Sequence, residues 1–398
     1  MRKTIAVGGS CTLSRGSGIN AYVNQLVDVL LKMGHSVIYI GPHDEHLESR
    51  INLEYVSAGS QDDPVDAVNR LLEMLRSRQV DLVINNDNAY LQSAAPWVDC
   101  VFVSVGHMSK TSVATLACYN HQWLDYVVTI SSDMQKTYVR KFGLDTAKVP
   151  IIYNGVNDPY AGQLPDKSFG KKMRIIYAGG NNPNKGARLL LETVKDPRWK
   201  NYPIDLAWYG YMDTALERTL SAISGVTVHG RVSREEILST LSSSDVFLLP
   251  SYKEGCPMSM LEAMSYGVIP IASDGHGAME RIVIHGQEGF VCRLDNWVND
   301  FYACLNVLSE KHTFLQLLRK RCYSRFLADF ESSRFVDRLL ALSEVPSCER
   351  KKKPVRLAIL RWHRPMIMGS NRAPIIDRIC IKLGLLRKSG VISGPPSV

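Results

Sequence analysis

The sequence predicts an α/β protein of two doubly wound parallel-sheet domains followed by a basic tail, and three observations predict it. Short apolar runs alternate with stretches of helical period, the pattern of βα units rather than of hairpins. The alternation stops in a segment containing Pro, Gly and Lys, residues 158–172, and then restarts. At 398 residues the chain also exceeds what one ordinary core holds. The expected division is a first domain over 1–157, a linker over 158–172, a second domain over 173–325, a terminal helical stretch over 326–348 and a tail over 349–398.

In the first domain, residues 4–7 form a short apolar strand, followed by a Gly-rich turn and a helix in which Val23, Leu26, Val27, Leu30 and Leu31 share a face. Residues 35–40 return as a second strand, giving the β-α-β opening of a doubly wound sheet. The turn is not a dinucleotide fingerprint, because G-x-G-x-x-G is absent and no acidic residue closes the second strand. Further strands are expected over 80–84, 101–105, 126–130 and 149–153, with helices over 66–76 and 133–142, the latter capped at Ser131-Ser132. His107 follows the 101–105 strand directly, at the end where parallel sheets hold ligands.

The second domain restarts at a strand over 173–177. A loop with Gly179, Gly180, Asn181 and Lys185 leads from it to a helix carrying Leu189, Leu190 and Thr193. Lys185 stands near that helix start, where an ammonium can neutralise a diphosphate. Strands follow over 204–209, 225–229, 245–249 and 268–272, and Ser233 with Glu236 makes a capping box. Between the last two strands lies SYKEGCPMSMLEAMSYG. Pro257 suits the first helical position and Gly267 the left-handed position after the helix. The amides of Met258, Ser259 and Met260 are expected to point out of the helix start, where dipole and donors favour an anion such as phosphate. Glu254 and Glu262 are placed to accept hydrogen bonds from hydroxyls on either side of that anion. Hydroxyls, a diphosphate and more hydroxyls describe a nucleotide sugar.

Composition limits the function. With 45% hydrophobic and 22% charged residues the chain reads as soluble and globular. The apolar stretch after Lys3 runs at once into Gly8 and Gly9, so no secretory leader is expected, and no apolar run approaches the ~20 residues of a membrane span. Nine cysteines, an odd number with no C-x-x-C pair, suit reduced thiols in a cytoplasmic protein. The net charge of +8 is concentrated: residues 350–398 hold twelve Lys or Arg against one acidic residue, Asp377, so the rest of the chain carries −3. That balance argues for a local anionic partner and against general nucleic-acid affinity. Within 374–388, Ile375, Ile379, Leu383 and Leu386 share a face beside Arg378 and Lys382, as in a helix lying on an anionic membrane. Docking on the protein's own body, or a solvated tail, is the alternative.

Read as it stands, E-G-C-P-M-S-M-L-E resembles the E-x7-E signature of retaining glycosyltransferases of family 4, which have the GT-B fold. Asn154-Gly155-Val156, the 178–186 loop, the 230–233 segment and the order of 274–291 also resemble that family. The resemblance implies two Rossmann-like domains facing a cleft, an acceptor domain first and a donor domain second, with the last helix crossing back onto the first. It implies that Glu254 holds the donor sugar and Glu262 the donor ribose, and that His107, Lys185 and Glu254 serve the reacting centre. Gly16, Gly18, Arg188, Arg231, Met258, Ser259, Met260 and Leu261 complete the expected donor site. The chain departs from the pattern at Asn181, where the family has Arg, and Arg188 or Arg231 are the candidates to replace it. No D-x-D occurs, so no aspartate-bound metal is expected and no cofactor beyond the donor itself. The implied activity is metal-independent, retaining transfer from a nucleotide sugar, UDP-linked by preference, to a polysaccharide or lipid-linked glycan at the cytoplasmic membrane face. A GDP-mannose donor, a nucleotide-sugar epimerase of the same fold and a non-catalytic nucleotide-sugar-binding protein remain open alternatives.

Overall fold

Ile5-Ala6-Val7 and Val37-Ile38-Tyr39-Ile40 are apolar at consecutive rather than alternate positions, as strands covered on both faces require. The computed structural model describes residues 2–13, 18–46, 49–58, 63–109, 111–275, 279–310, 312–344, 356–358 and 391–393. The chain divides into two units, one of Met1–Tyr153 with Phe335–Val398 and the other of Asn154–Arg334.

The first unit runs β1 (Thr4–Gly9), α1 (Gly18–Lys32), β2 (Ser36–Gly41), β3 (Leu53–Ser57), α2 (Pro64–Ser77), β4 (Leu82–Asn86), α3 (Ala89–Ala94), β5 (Val101–Gly106), α4 (Thr111–Ala117), β6 (Tyr126–Thr129) and α5 (Ser132–Phe142). Its six strands pair in parallel in the order β3-β2-β1-β4-β5-β6. Ile5, Val7, Leu26, Leu30, Leu82, Ile84 and Val103 are fully or almost fully buried in its core, which Phe335, Val336 and Leu339 also enter.

The second unit runs β7 (Met173–Tyr177), α6 (Ala187–Lys195), β8 (Ile204–Tyr209), α7 (Thr214–Ser221), β9 (Val226–Gly230), α8 (Arg234–Ser243), β10 (Val246–Leu249), α9 (Met258–Ser265), β11 (Ile269–Ser273), α10 (Met279–Ile282), β12 (Phe290–Cys292), α11 (Trp297–Glu310) and α12 (His312–Asp329); α13 (Ser332–Ala341) then spans the boundary between the units. These strands also pair in parallel, in the order β12-β11-β10-β7-β8-β9. Trp208, Trp297 and Phe301 fill the core beneath them.

Each sheet starts in its middle and then reverses direction, between β1 and β4 in one unit and between β7 and β10 in the other. Beyond the carboxyl ends of strands at such a reversal, neighbouring loops part and leave a crevice, where sheets of this kind hold ligands. Helix starts are fixed by side-chain caps: Asp63, Asn88, Ser131, Asp213 and Ser233 each accept from amides of the first turn.

Some elements differ from the sequence reading. The strand expected over 80–84 is shifted to Leu82–Asn86, because two asparagines pair in the ladder with Gly8 and Gly9. Residues 149–153 form only an isolated bridge, Thr129 with Ile151, where Pro150 has no amide to donate. The terminal helical stretch expected over 326–348 is broken at Phe330-Glu331, between α12 and α13. Residues 158–172 hold no helix or strand, and the second unit takes them in: Lys167 Nζ lies 3.0 Å from the buried Asp245 carboxylate. Most of the basic tail lies outside the described residues, which retain only a short antiparallel pair, Arg356–Ala358 with Val391–Ser393.

Candidate functional site

Two loops flank the reversal in the second unit, residues 178–186 after β7 and residues 250–257 after β10. They touch closely. Gly186 has φ +75°, and a Cβ there would stand 1.8 Å from the Pro250 carbonyl oxygen, so only glycine fits. Tyr252 N donates to Asn184 O at 3.0 Å, and the Tyr177 hydroxyl donates to Lys185 O at 3.1 Å. Across this seam Lys185 Nζ lies 2.6 Å from Glu254 Oε1. The carboxylate is only 11% exposed and the ammonium 37%, so the pair joins a buried anion to a cation that solvent still reaches. The sequence reading gave Glu254 only hydroxyls to accept from; the structure gives it a charge partner, as burial of a carboxylate demands.

Helix α9 begins at this crevice. Pro257 is its N-cap, with extended backbone, rather than its first helical residue. The Met260 and Leu261 amides both donate to Pro257 O, at 3.1 and 3.2 Å. Met260 is therefore not one of the free amides the sequence suggested, because the first turn tightens and consumes it. Met258 and Ser259 keep amides without an acceptor among the described residues. Met260 and Leu261 bury their side chains completely. Gly267, at φ +68°, ends the helix as expected. Asn154 Nδ2 donates to Cys256 O at 3.0 Å and steadies the loop, and burial pushes the Cys256 thiol up to about 12.

Glu262, one turn further along α9, accepts from Arg234 Nε at 3.0 Å and Nη2 at 2.5 Å. Arg234 is the first residue of α8, set there by the Ser233 cap, and is the site residue that sequence reasoning missed. Its signal was its place after a helix cap, which counts only once α8 and α9 are known to be neighbours. Arg188 pairs with Glu192 on the exposed face of α6 at 3.1 Å, and Arg231 lies over the Tyr211 ring at 5.5 Å. Asn181 donates its backbone amide to Tyr211 O and its side chain to Asp213.

In the first unit a buried polar cluster stands at the ends of β4 and β5. His107 follows β5 and is buried, with Nε2 3.1 Å from Asn86 Oδ1 and its ring edge-on to Tyr22 at 4.9 Å. Burial lowers it to about 4, so the imidazole is neutral at ordinary pH. Asp87, beside Asn86, is equally enclosed, and burial pushes its carboxyl up to about 7. Sequence reasoning passed over Asn86 and Asp87, which lie beyond the strand it expected over 80–84. Gly18 opens α1, whereas Gly16 lies outside the described residues. Among the described residues no group of three or more His, Cys, Asp or Glu could hold a metal ion, and no helix is long and apolar enough to cross a membrane.

Comparison with known proteins follows this division. Residues 16–158 match the family described as Glycosyltransferase Family 4, and residues 172–311 match Glycosyl transferases group 1. An uncharacterized glycosyltransferase of Methanocaldococcus jannaschii is 28% identical over 181 residues, 42% of this chain and 45% of that protein. The UDP-Gal:alpha-D-GlcNAc-diphosphoundecaprenol alpha-1,3-galactosyltransferase of Escherichia coli is 25% identical over 228 residues, 54% of this chain and 58% of that one. The chain thus spans about half the length of the curated relatives it matches. In fold, the structure of Anabaena HepE in complex with UDP superposes with a TM-score of 0.67 at 14% identity, covering 86% of this chain and all of that one. Two adjacent glycosyltransferase domains, each built on a six-stranded parallel sheet, make the chain a member of the glycosyltransferases of GT-B fold.

Proposed function

We propose that the protein transfers a sugar, with retention and without a metal, from a UDP-linked donor to a lipid-linked or polysaccharide acceptor at the cytoplasmic membrane face. The observation that carries this reading is the Lys185–Glu254 pair across the crevice of the second unit, beside the open start of α9. A bound donor exchanges these partners. Its diphosphate takes the Lys185 ammonium and the Met258 and Ser259 amides, which relieves Glu254 to accept from hydroxyls of the donor sugar. Glu262 accepts from the ribose hydroxyls in the same way, and Arg234 is displaced toward solvent or the phosphates. As the glycosidic C–O bond breaks, negative charge grows on the leaving diphosphate, where a fixed cation and helix amides stabilise it most. The acceptor oxygen bonds to the anomeric carbon from the face the diphosphate leaves, and a donor phosphate oxygen takes the hydroxyl proton.

The named substrates of the Escherichia coli relative, a UDP-sugar and a sugar diphosphoundecaprenol, support the donor and acceptor classes. UDP in the Anabaena HepE complex supports the nucleotide. The acceptor's lipid gives residues 350–388 a role, holding the enzyme on an anionic surface with their Lys and Arg.

Release of nucleotide from UDP-, GDP- and ADP-sugars, with and without a sugar diphosphoprenol, tests the reading. Acceptor-dependent UDP release is expected, and Lys185→Ala should lower kcat by roughly 100-fold or more, the scale of losing one stabiliser of transition-state charge. UDP release that ignores the acceptor, or no release from any donor, would contradict it.

A further inference from the structure

The crevice of the second unit contains two ion pairs of the same construction. Lys185 Nζ lies 2.6 Å from Glu254 Oε1, and the two side chains are 37% and 11% exposed. Arg234 Nη2 lies 2.5 Å from Glu262 Oε1, and here the side chains are 53% and 12% exposed. Each pair joins a shielded carboxylate to a cation that solvent reaches, so both cations are open to a ligand. Arg234 Nε donates to the same Oε1 at 3.0 Å, which leaves Glu262 Oε2 and Arg234 Nη1 without a hydrogen-bond partner among the described residues.

Side chains on an α-helix lean toward its N-terminus, and residues three and four apart share a face. Glu262 therefore holds the Arg234 guanidinium over the first turn of α9, the turn of Met258 and Ser259, whose amides have no acceptor among the described residues. Arg234 is itself the first residue of α8, where the helix dipole disfavours a cation. Local preference does not explain an arginine at that position, whereas its reach to α9 does. The other arginines near the crevice are engaged elsewhere, Arg188 with Glu192 along α6 and Arg231 with the face of Tyr211.

The two pairs are neutral as they stand. A nucleoside diphosphate sugar adds two negative charges, one on each phosphate. If Arg234 left for solvent, Lys185 alone would face the diphosphate and both carboxylates, in a crevice that the ligand further shields from water. If Arg234 stays, each phosphate has a cation and each carboxylate is released to hydroxyls.

We propose that Arg234 is the second diphosphate-binding cation of this crevice: when the donor binds, its guanidinium leaves Glu262 Oε1 and moves along α9 to the phosphates, as Lys185 leaves Glu254. The proposal rests on the donor reading above and adds to it the residue that shares the phosphate charge with Lys185. A planar guanidinium with an unused edge suits phosphate oxygens, to which it can donate two parallel hydrogen bonds.

Dissociation constants for UDP, by calorimetric titration, and for uridine, by displacement of UDP, test this in the full-length wild type, Arg234→Ala, Arg234→Lys, Glu262→Gln and the double variant Arg234→Ala with Glu262→Gln. Uridine keeps the base and ribose and lacks the phosphates, so the ratio of the two constants isolates the phosphate contribution. Arg234→Ala should weaken UDP roughly tenfold or more, the scale of one hydrogen bond to a charged group, without weakening uridine. Arg234→Lys, which keeps the charge and loses the fork, should lose less. Arg234→Ala leaves the shielded Glu262 carboxylate unpaired; the double variant removes both charges, and relative to Glu262→Gln alone it should show the same loss for UDP. Equal losses for UDP and uridine would mean that Arg234 only orients Glu262 toward the ribose, and unchanged or tighter UDP binding would mean that it is released to solvent; either would overturn the proposal and leave the donor reading in place. A wild type that does not bind UDP at millimolar concentration would remove the donor reading, and the proposal with it.

Discussion

Asp87 shows how much a single position can carry. Its carboxyl is raised from 3.8 to about 7 by burial, with Tyr138 from α5 as a titratable neighbour. A group held more tightly protonated in the fold contributes stability that is complete below its unfolded value and lost as pH rises through the folded one. The contribution of Asp87 is therefore full below about pH 4 and gone above about pH 7. His107 runs the other way: its contribution is present above pH 6.5 and is lost as pH falls toward 4. Asp87→Asn, which keeps the left-handed backbone of that position (φ +62°), isolates the first effect. Its melting temperature should match the wild type at or below about pH 4, exceed it progressively up to about pH 7 by an amount on the order of 1–3 kcal/mol in stability, and keep that margin above. A difference that does not change with pH would mean the carboxyl is solvated.

At the scale of elements, the strand–loop–helix units on either side of each reversal position the chemistry. The 250–257 loop can carry Glu254 to Lys185 only because Gly186 lets the neighbouring backbone approach. Gly186→Ala combines a left-handed φ with a contact of 1.8 Å to a carbonyl, so it should cost at least about 2 kcal/mol and weaken donor binding with it. Gly34, also at positive φ but with nothing near its Cβ, should cost about 1 kcal/mol when replaced by Ala. Chemical denaturation of the two variants separates the effects, and equal losses would contradict the account of the loop seam.

This level of structure was largely legible in the sequence. Buried parallel strands write themselves as continuous apolar runs, and Pro257 and Gly267 bracket α9. Glu254 and Lys185 were singled out in loops that follow such runs, and Glu262 by its spacing from Glu254 in the motif that resembles family 4. β3 was not found, because Leu53–Ser57 is a half-buried edge strand with a mixed pattern. Arg234, Asn86 and Asp87 were missed for another reason. What makes each of them matter is a partner 28 residues away, or a partner it lacks, and neither can be read from local spacing.

At the scale of the whole molecule, two sheets of the same winding each reverse once, and each reversal carries polar groups of a different kind. The second unit's crevice presents cations and helix amides, suited to a diphosphate. The first unit's holds a neutral histidine bonded to a buried amide, with a buried carboxyl next in sequence. The proposed lipid-linked acceptor would set the enzyme to work at a surface, and the concentrated charge of residues 350–398 is the sequence's candidate for reaching it. Removing 350–398 should abolish sedimentation with anionic phosphatidylglycerol vesicles and leave donor binding in solution intact. Unchanged vesicle binding would place the membrane contact elsewhere.

The central claim is that the crevice formed by residues 178–186 and 250–262 binds a nucleotide sugar. A thermal-shift panel of UDP, GDP, ADP and their sugar conjugates against the wild type and Glu262→Ala tests it most directly, since a ligand of the native state raises its melting temperature with concentration. The account predicts that UDP and UDP-sugars stabilise the wild type, and stabilise Glu262→Ala less. No shift with any nucleotide at millimolar concentration, or an equal shift in both proteins, would contradict it.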